Sequence, residues 1–514
     1  MAVESNIPVK ATLKSRFKPT EKEGYLAYGA LLLGFLFIRW LLFSFSGVGV
    51  TVFVALFVAI SYIAFKDVEK FDRKNAQIWF GFLMLLGISY ALYRNTVLDP
   101  FKNLIMIFTA SYAVLSISGN RFENRIGVWL LFDLFNSLIR LPFWNFALIF
   151  LGIRGGKRRD VKQNRNVIQV FVGILIGIFL LVIILPILMR IDAGGFSDMF
   201  SWLYNLQIWH QFSFEYNLTI LIMSLPVSAY FYGLFMGCRH FDTWHADSIE
   251  FKMDQVRCIQ KMSPITLEIV AGMLLVVYGI FTFTQLPYYL SAMKGMLPDG
   301  AMSYAAYARR GFFELVQITV FNLIFIIIGA ILVKKDEVKA GHAIILKTMS
   351  HVLCITTLFF IITAFSKMFL YIQVYGLTLR RFMPCVFMLW LFIVICLIIW
   401  KSLKSIRLSF TIGGIFLVMI ALVNTPDMMS HYNAERYLEG SLDHFDIAVL
   451  KEAGSSGVDT ALMLMAQTGE EENIHREMRL YLLSEKERIE GQSDRMFLTM
   501  ADWIAKEKIA KITD

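Results

Sequence analysis

SYAAYARRGFFELVQITVFNLIFIIIGAILVKK, Ser303 to Lys335, decides the fold. From Phe312 to Val333 the chain runs apolar with a single charge, Glu314, and paired basic residues stand at both ends. At 1.5 Å of rise per residue such a run forms a helix of about 33 Å, enough to cross a hydrocarbon core of about 30 Å. Arg309 and Arg310 precede it; Lys334 and Lys335 follow it.

Similar runs recur along all 514 residues, of which 57% are hydrophobic and only 17% charged. A soluble chain of this length carries about 25% charged residues, so the deficit marks a membrane protein. The expected class is all-α, a polytopic α-helical membrane protein with about 11 spans. They fall near 25–45, 48–65, 77–93, 102–118, 167–189, 216–238, 264–285, 312–333, 342–364, 383–400 and 407–423. Residues 1–24 are a basic segment ahead of the first span, which lacks a small-residue cleavage site and reads as uncleaved.

The apolar stretch 126–151 is interrupted by Asp133, Arg140 and Pro142. Basic residues collect in short cytoplasmic loops. The loop after it carries Arg154, Lys157, Arg158, Arg159, Lys162 and Arg165, and the loop before it carries Arg121 and Arg125. Both then belong inside, so 126–151 is expected to return to its starting side as an interfacial or re-entrant pair of short helices. The same rule puts the N-terminus in the cytoplasm and everything after residue 424 outside.

That tail, 424–514, holds 10 Lys and Arg against 18 Asp and Glu, whereas the rest of the chain has a net charge of +17. Helical apolar spacing broken by Gly440, Gly454 and Gly469 predicts four or five short helices forming a small acidic domain. No basic stripe interleaved with exposed aromatics argues for nucleic acid.

On a helix, Ser303, Tyr307, Arg310, Glu314 and Gln317 fall in one polar stripe about 80° wide at 100° per residue. Arg310 and Glu314 have the i, i+4 spacing of an ion pair. Such a stripe can anchor the span at the interface or line a polar site. Since roughly 28 Å of helix separates Glu314 from the end of the run at Val333, the pair is expected at the outer rim rather than in hydrocarbon.

YIQVYGLTLRRF, Tyr371 to Phe382, joins the ninth and tenth spans. Gly376 suits a left-handed helix end and Thr378 an N-cap. Arg380 and Arg381 then stand in a first turn where the helix dipole disfavours cations, so a carboxylate or anionic ligand should compensate them. Glu314 is the expected carboxylate. YNAERYLEG, Tyr432 to Gly440, adds Glu435 and Arg436 just after the last span, and RIDAGGF adds Asp192. All these motifs fall on the non-cytoplasmic side.

Inside the membrane, Asn322 and His351 each lie about ten residues into neighbouring antiparallel spans and form a candidate midplane pair. Interhelical hydrogen bonding is one reading and a proton relay the other. Arg39 can snorkel. Five cysteines show no CxxC spacing, RHFDTWHAD spaces its histidines wrongly for one helix face, and there is no HExxH, GxSxG or P-loop. No cofactor, metal or catalytic residue is therefore expected.

YAAYARRGFFEL, YGLTLRRF and YNAERYLEGSLD resemble the signatures of a bacterial integral-membrane family called domain of unknown function 4173, related to domain of unknown function 4153. RIDAGGF sits where that family has an Ala-Asp pair followed by Phe, so Asp192 fits and the glycine pair departs. The resemblance covers roughly residues 165–465. It implies bacterial origin, the cytoplasmic (plasma) membrane and no established activity, and it singles out Tyr307, Arg309, Gly311, Phe312, Phe313, Glu314, Tyr375, Gly376, Leu377, Thr378 and Arg380.

The expected function is a non-enzymatic sensor, scaffold or assembly factor with an outward polar rim site. Its expected partners are the lipid bilayer and an extracytoplasmic protein or anionic ligand. A transporter of an anionic solute or lipid is one alternative. The other is an enzyme acting on lipid-linked substrates at the outer leaflet, with Glu314 as base and Arg310 and Arg380 holding phosphate.

Overall fold

The computed structural model describes residues 19–42, 45–122, 126–127, 129–154, 213–240, 260–293, 304–334, 338–401, 406–469, 473–492 and 494–513. The expected span 167–189, Asp192, most of the basic segment 1–24 and most of RHFDTWHAD lie outside them, as do the side chains of Tyr307, Arg309 and Arg310.

Among the described residues the elements are helices, with one isolated bridge between Met262 and Val333. The membrane part contains α1 (Glu21–Leu36, continued by a π-helical turn Phe37–Leu42), α2 (Val48–Phe65), α3 (Arg73–Leu92) and α4 (Asp99–Ile117). A broken stretch follows: α5 (Leu130–Phe135), a π-helical turn Asn136–Arg140, α6 (Leu141–Trp144) and α7 (Leu148–Ile153). Then come α8 (Ser213–Arg239), α9 (Pro264–Met293), α10 (Tyr304–Leu332), α11 (Ala340–Tyr375), α12 (Leu379–Lys401) and α13 (Ile406–Leu422). Nine helices among the described residues are long and apolar enough to cross a membrane, so this is a multi-pass membrane protein.

Two cores form inside the membrane part. The first joins α1, α2, α3, α4, α6, α7 and α8, and the second joins α9, α10, α11 and α12. Aromatic side chains fill much of the first, with Phe53, Phe57 and Phe231 meeting at centroid distances of 5.9–6.4 Å. Small residues allow α1 and α8 to approach closely: a Cβ on Gly34 would lie 2.6 Å from the Ser224 carbonyl.

Helix α13 contributes Leu417 and Ala421 to the first core and also packs against α12 of the second. Gly413 packs under Trp390 of α12, whose indole N–H donates to the Ser409 carbonyl at 3.0 Å. On its other side Gly414 faces Phe82 of α3, and the Tyr93 hydroxyl donates to the Ile420 carbonyl at 2.9 Å.

The chain then bends by 64° between α13 and α14 (Thr425–Leu438). Asn424 caps the new helix by accepting from the Asp427 N–H, and Pro426 in its first turn cannot continue the ladder of α13. Because of this bend the tail lies across the end of the bundle. After α14 come α15 (Ala448–Ala453), α16 (Val458–Gln467), α17 (Asn473–Glu490) and α18 (Met500–Thr513). They enclose a third core around Leu450, Leu464 and Met478. A buried polar knot holds α17 and α18 together: Arg488 pairs with Glu485 and Asp502, and the Ser455 hydroxyl donates to Asp502 at 2.6 Å.

The opposite, far end of the bundle is held by charges. Glu23, 1% exposed, closes a capping box with Thr20 at the start of α1. It accepts from Arg239 at 3.2 Å and lies 2.6 Å from a ring nitrogen of His240. Arg239 also meets Asp67 at 2.8 Å and donates to the Ala64 carbonyl at 2.6 Å, so one guanidinium ties the ends of α1, α2 and α8.

Candidate functional site

The turn between α11 and α12 shows how the rim of the bundle meets the tail. Gly376 carries φ +76°, the left-handed conformation that a side chain strains, and this ends α11. Leu377 is left with an N–H and a C=O outside either helix. The carboxamide of Asn433, on α14 and 3% exposed, takes both. Its Oδ1 accepts from the Leu377 N–H at 2.8 Å and its Nδ2 donates to the Leu377 carbonyl at 2.6 Å. A Cβ on Gly376 would stand 2.8 Å from Asn433 Oδ1, so the glycine also makes room for the clasp.

Around this clasp the cations are engaged. Thr378 immediately precedes α12, and the N–H groups of Arg381 and Phe382 donate to its carbonyl at 3.0 and 2.9 Å. Arg380 pairs with Glu452 of α15 at 3.0 Å. Burial holds the Glu452 carboxyl above its usual range, and the Arg380 guanidinium offsets only part of that rise. Arg381 folds over its own turn, donating to the Tyr375 and Gly376 carbonyls at 2.7 Å and lying 4.3 Å from the Tyr371 ring centroid. Arg436 of α14 donates to the Gln373 carbonyl at 3.0 Å, while Glu435 meets His431 at 3.2 Å.

Two other rim turns are fastened to the tail. Between α3 and α4, Asn95 donates to Thr425 at 3.4 Å, and Thr96 donates to the Glu452 carbonyl at 3.5 Å. Beneath them Lys102 is fully buried, 2.7 Å from Asp99, 3.3 Å from the Ser89 hydroxyl and 4.1 Å from the Tyr90 ring centroid. Asp99 Oδ2 also accepts from the Asn95 N–H at 2.9 Å, so the buried ion pair holds the turn that receives the tail. Between α1 and α2, the Val48 N–H donates to the Leu498 carbonyl at 3.3 Å, and Arg39 pairs with Asp494 at 3.2 Å. Three turns of the bundle are thus held by three segments of the tail: α14, α15 and the stretch 494–498.

The expected rim residues divide accordingly. Tyr375, Thr378, Arg380, Arg381 and Arg436 come together at the junction, with Glu435 on the outer face of α14. The expected partnership of Glu314 with Arg380 or Arg381 is corrected: Arg380 meets Glu452, and Arg381 caps the end of α11. Glu314 is exposed on α10 and interacts electrostatically with Lys367 of α11. Gln317 is exposed on the same helix, whose backbone also carries Tyr307, Arg309 and Arg310.

The candidate midplane pair separates. Asn322 Nδ2 donates to Thr357 at 3.0 Å and its Oδ1 accepts from the Tyr278 hydroxyl at 2.8 Å, a bond across three helices. His351 lies one turn from Lys347, whose carbonyl is 2.6 Å from its Nδ1, and its Nε2 is 3.3 Å from the Ile399 carbonyl, two residues before Lys401. Along α11, Thr357 is six residues from His351, about 9 Å. Equal counting from the ends of two runs misplaced the histidine because α11 is 36 residues long, well over a membrane thickness, and its run overhangs its neighbours.

Sequence reasoning missed Asn433, Glu452, Asp99, Lys102, Asn95 and Asp494. Asp99 and Lys102 carry an i, i+3 signal around Pro100 that was readable. Asn433 lies inside a quoted motif but has no special spacing. Arg39 and Asp494 are 455 positions apart, and no local pattern links them. Among the described residues, no group of three His, Cys, Asp or Glu is placed to hold a metal ion.

Comparison with curated proteins and with solved structures gives no significant match. A family model does match, over residues 80–464, from within α3 to α16. It takes in the two rim turns at 93–98 and 376–378 and their partners Thr425, Asn433 and Glu452, and leaves out Arg39 and Asp494. The model is that of the second of the two resembled families and reaches two spans further toward the N-terminus than the resemblance. Covering three quarters of the sequence, the match shows that the chain belongs to the family described as Domain of unknown function (DUF4153).

Proposed function

We propose that this protein is a non-enzymatic membrane scaffold whose bundle holds the acidic helical tail against its rim. One observation carries the reading: polar groups at three rim turns bond to the tail. The clasp of Asn433 on Leu377, the bond of Asn95 to Thr425 and the pair of Arg39 with Asp494 leave the tail fixed to three separate turns. Arg380, the expected holder of a substrate anion, is paired with Glu452. The buried Lys102–Asp99 pair supports the same reading, since it stiffens the receiving turn.

In this reading residues 25–423 are the anchor and 424–514 the presented domain. The far end, with Lys22, Lys66 and Arg239, faces the cytoplasm, and the tail faces outward in a bacterial plasma membrane. That sidedness follows the basic loops. The motif likeness to domain of unknown function 4173 belongs to the same proposal and favours the bacterial assignment. The presented domain, net acidic, would meet an extracytoplasmic protein.

The test is complementation in a strain lacking this protein. The full chain is expected to restore the deletion phenotype and a chain ending at Val423 is not, although both reach the membrane. Equal restoration by the truncated chain contradicts the reading. Protease added to intact spheroplasts should cleave the tail; cleavage only after lysis overturns the outward assignment.

A further inference from the structure

The first core is not filled. Between the π-helical turn after α1, α2, α4, α6 and α8 lies a cavity of about 350 Å3. Phe37, Phe57, Met106, Pro226 and Phe231 are among its wall, which is almost wholly apolar. The hydroxyl of Tyr230, one of the few polar groups on it, is committed to the Leu138 carbonyl at 3.0 Å. An apolar space of this kind stays dry, because water finds no hydrogen-bond partners in it. Left empty, its lining loses contacts that close-packed interiors otherwise make.

Irregular points of three helical stretches border the cavity. The π-helical turn after α1 contributes Phe37 and Leu41, Pro226 stands inside α8, and the break around α6 contributes Phe143 and Phe146. Two wall residues also face outward: Ile107 is 37% and Phe143 57% exposed. The cavity therefore opens sideways, on the apolar flank of membrane-crossing helices. The medium at that opening is hydrocarbon, and a hydrocarbon chain is what can enter.

A cation stands beside the opening. Arg140 lies 5.0 Å over the ring of Trp144, the neighbour of Phe143, and Trp144 is itself 62% exposed. Arg and Trp at the edge of a bilayer suit the phosphate and the interface respectively. The broken stretch α5–α7 packs toward the far end, where Gly152 meets the Tyr232 hydroxyl beside Glu23. A headgroup at Arg140 would therefore belong to the far-end leaflet, with its chain directed inward along Phe143.

We propose that this cavity binds one acyl chain of an anionic membrane phospholipid, with the phosphate toward Arg140. The site lies in the first core, away from the junction with the tail, and does not depend on the scaffold reading.

Native mass spectrometry of the full chain tests this, after release from vesicles of equal phosphatidylglycerol and phosphatidylethanolamine. One phospholipid should stay bound where boundary lipids are stripped, and it should be mainly phosphatidylglycerol. Ala110→Trp, which places an indole in the cavity, should lower retention by about tenfold or more. Ala110→Leu should lower it less, and it serves where the larger residue impairs folding, with thermal melting as the check. Arg140→Gln should keep the chain bound but lose the headgroup preference. Equal retention in folded Ala110 variants, no bound lipid, or a retained mass of detergent or free fatty acid overturns the proposal. An unchanged headgroup preference in Arg140→Gln overturns the role of Arg140.

Discussion

Replacing Asn433 by Ala removes both bonds of the clasp and little else. The side chain makes two hydrogen bonds to Leu377, at 2.8 and 2.6 Å, and neither is duplicated by another group. A hydrogen bond contributes about 1 kcal/mol net, and a polar group left without a partner costs about 1–3 kcal/mol. Leu377 is half-buried, so water replaces part of what its N–H and C=O lose. The expected cost is about 2–3 kcal/mol, which multiplies the open population of α14 roughly 30- to 150-fold. Hydrogen–deuterium exchange of the full chain in nanodiscs reads this directly, because amides of α14 exchange when the helix lifts from the turn. Protection should fall over 425–438 and at 376–379, while α2 and α3 stay as they were. The tail remains tethered through Asn95 and Arg39, so α17 and α18 should change less. A loss of protection under about threefold, roughly 0.6 kcal/mol, would refute the clasp.

Three further outcomes follow from the same contacts. Arg380→Ala should change the same exchange by no more than about 1 kcal/mol, since the arginine is 79% exposed and its pair with Glu452 is screened. A Lys102→Met variant should lose about 3–5 kcal/mol in a detergent melt, because it strands Asp99 without its cation, and adding Asp99→Asn should recover much of the loss. Acid should loosen the tail through Asp502. Burial opposes its ionisation, yet the bonds from Ser455, Thr499 and Arg488 outweigh that and hold its carboxyl below the usual range. A depressed carboxyl stabilises the fold above its unfolded pKa near 3.8 and loses that contribution as pH falls through the folded value. Near-ultraviolet circular dichroism should therefore show the tail weakening below about pH 4, with a flatter acid limb in Asp502→Asn; an identical limb in both contradicts it.

The membrane class was legible because hydrocarbon imposes length and composition on each span, and Phe312–Val333 carries both plainly. Sequence also bears on the turn at Gly376. Two arginines in a first turn demand compensation, and Arg380 has it from Glu452. What the sequence does not carry is which carboxylate serves. Glu314 was nearer in the chain, but the partner comes from α15, carried there by the 64° bend after α13. Long-range closure has no periodic signature, so Arg39 with Asp494 and Asn433 with Leu377 stayed hidden. Depth along an overlong helix is hidden for another reason: the apolar run of α11 exceeds the span, and its register is set by packing against α12, through contacts such as His351 with Ile399.

The most direct test of the docked tail is cross-linking in intact membranes, with a photo-reactive residue in place of Leu377. Light should join that turn to the α14 peptide containing Asn433, in the full chain and in unlysed cells. Cross-links to lipid or to other spans, with none to α14, would contradict the docking of the tail on the rim.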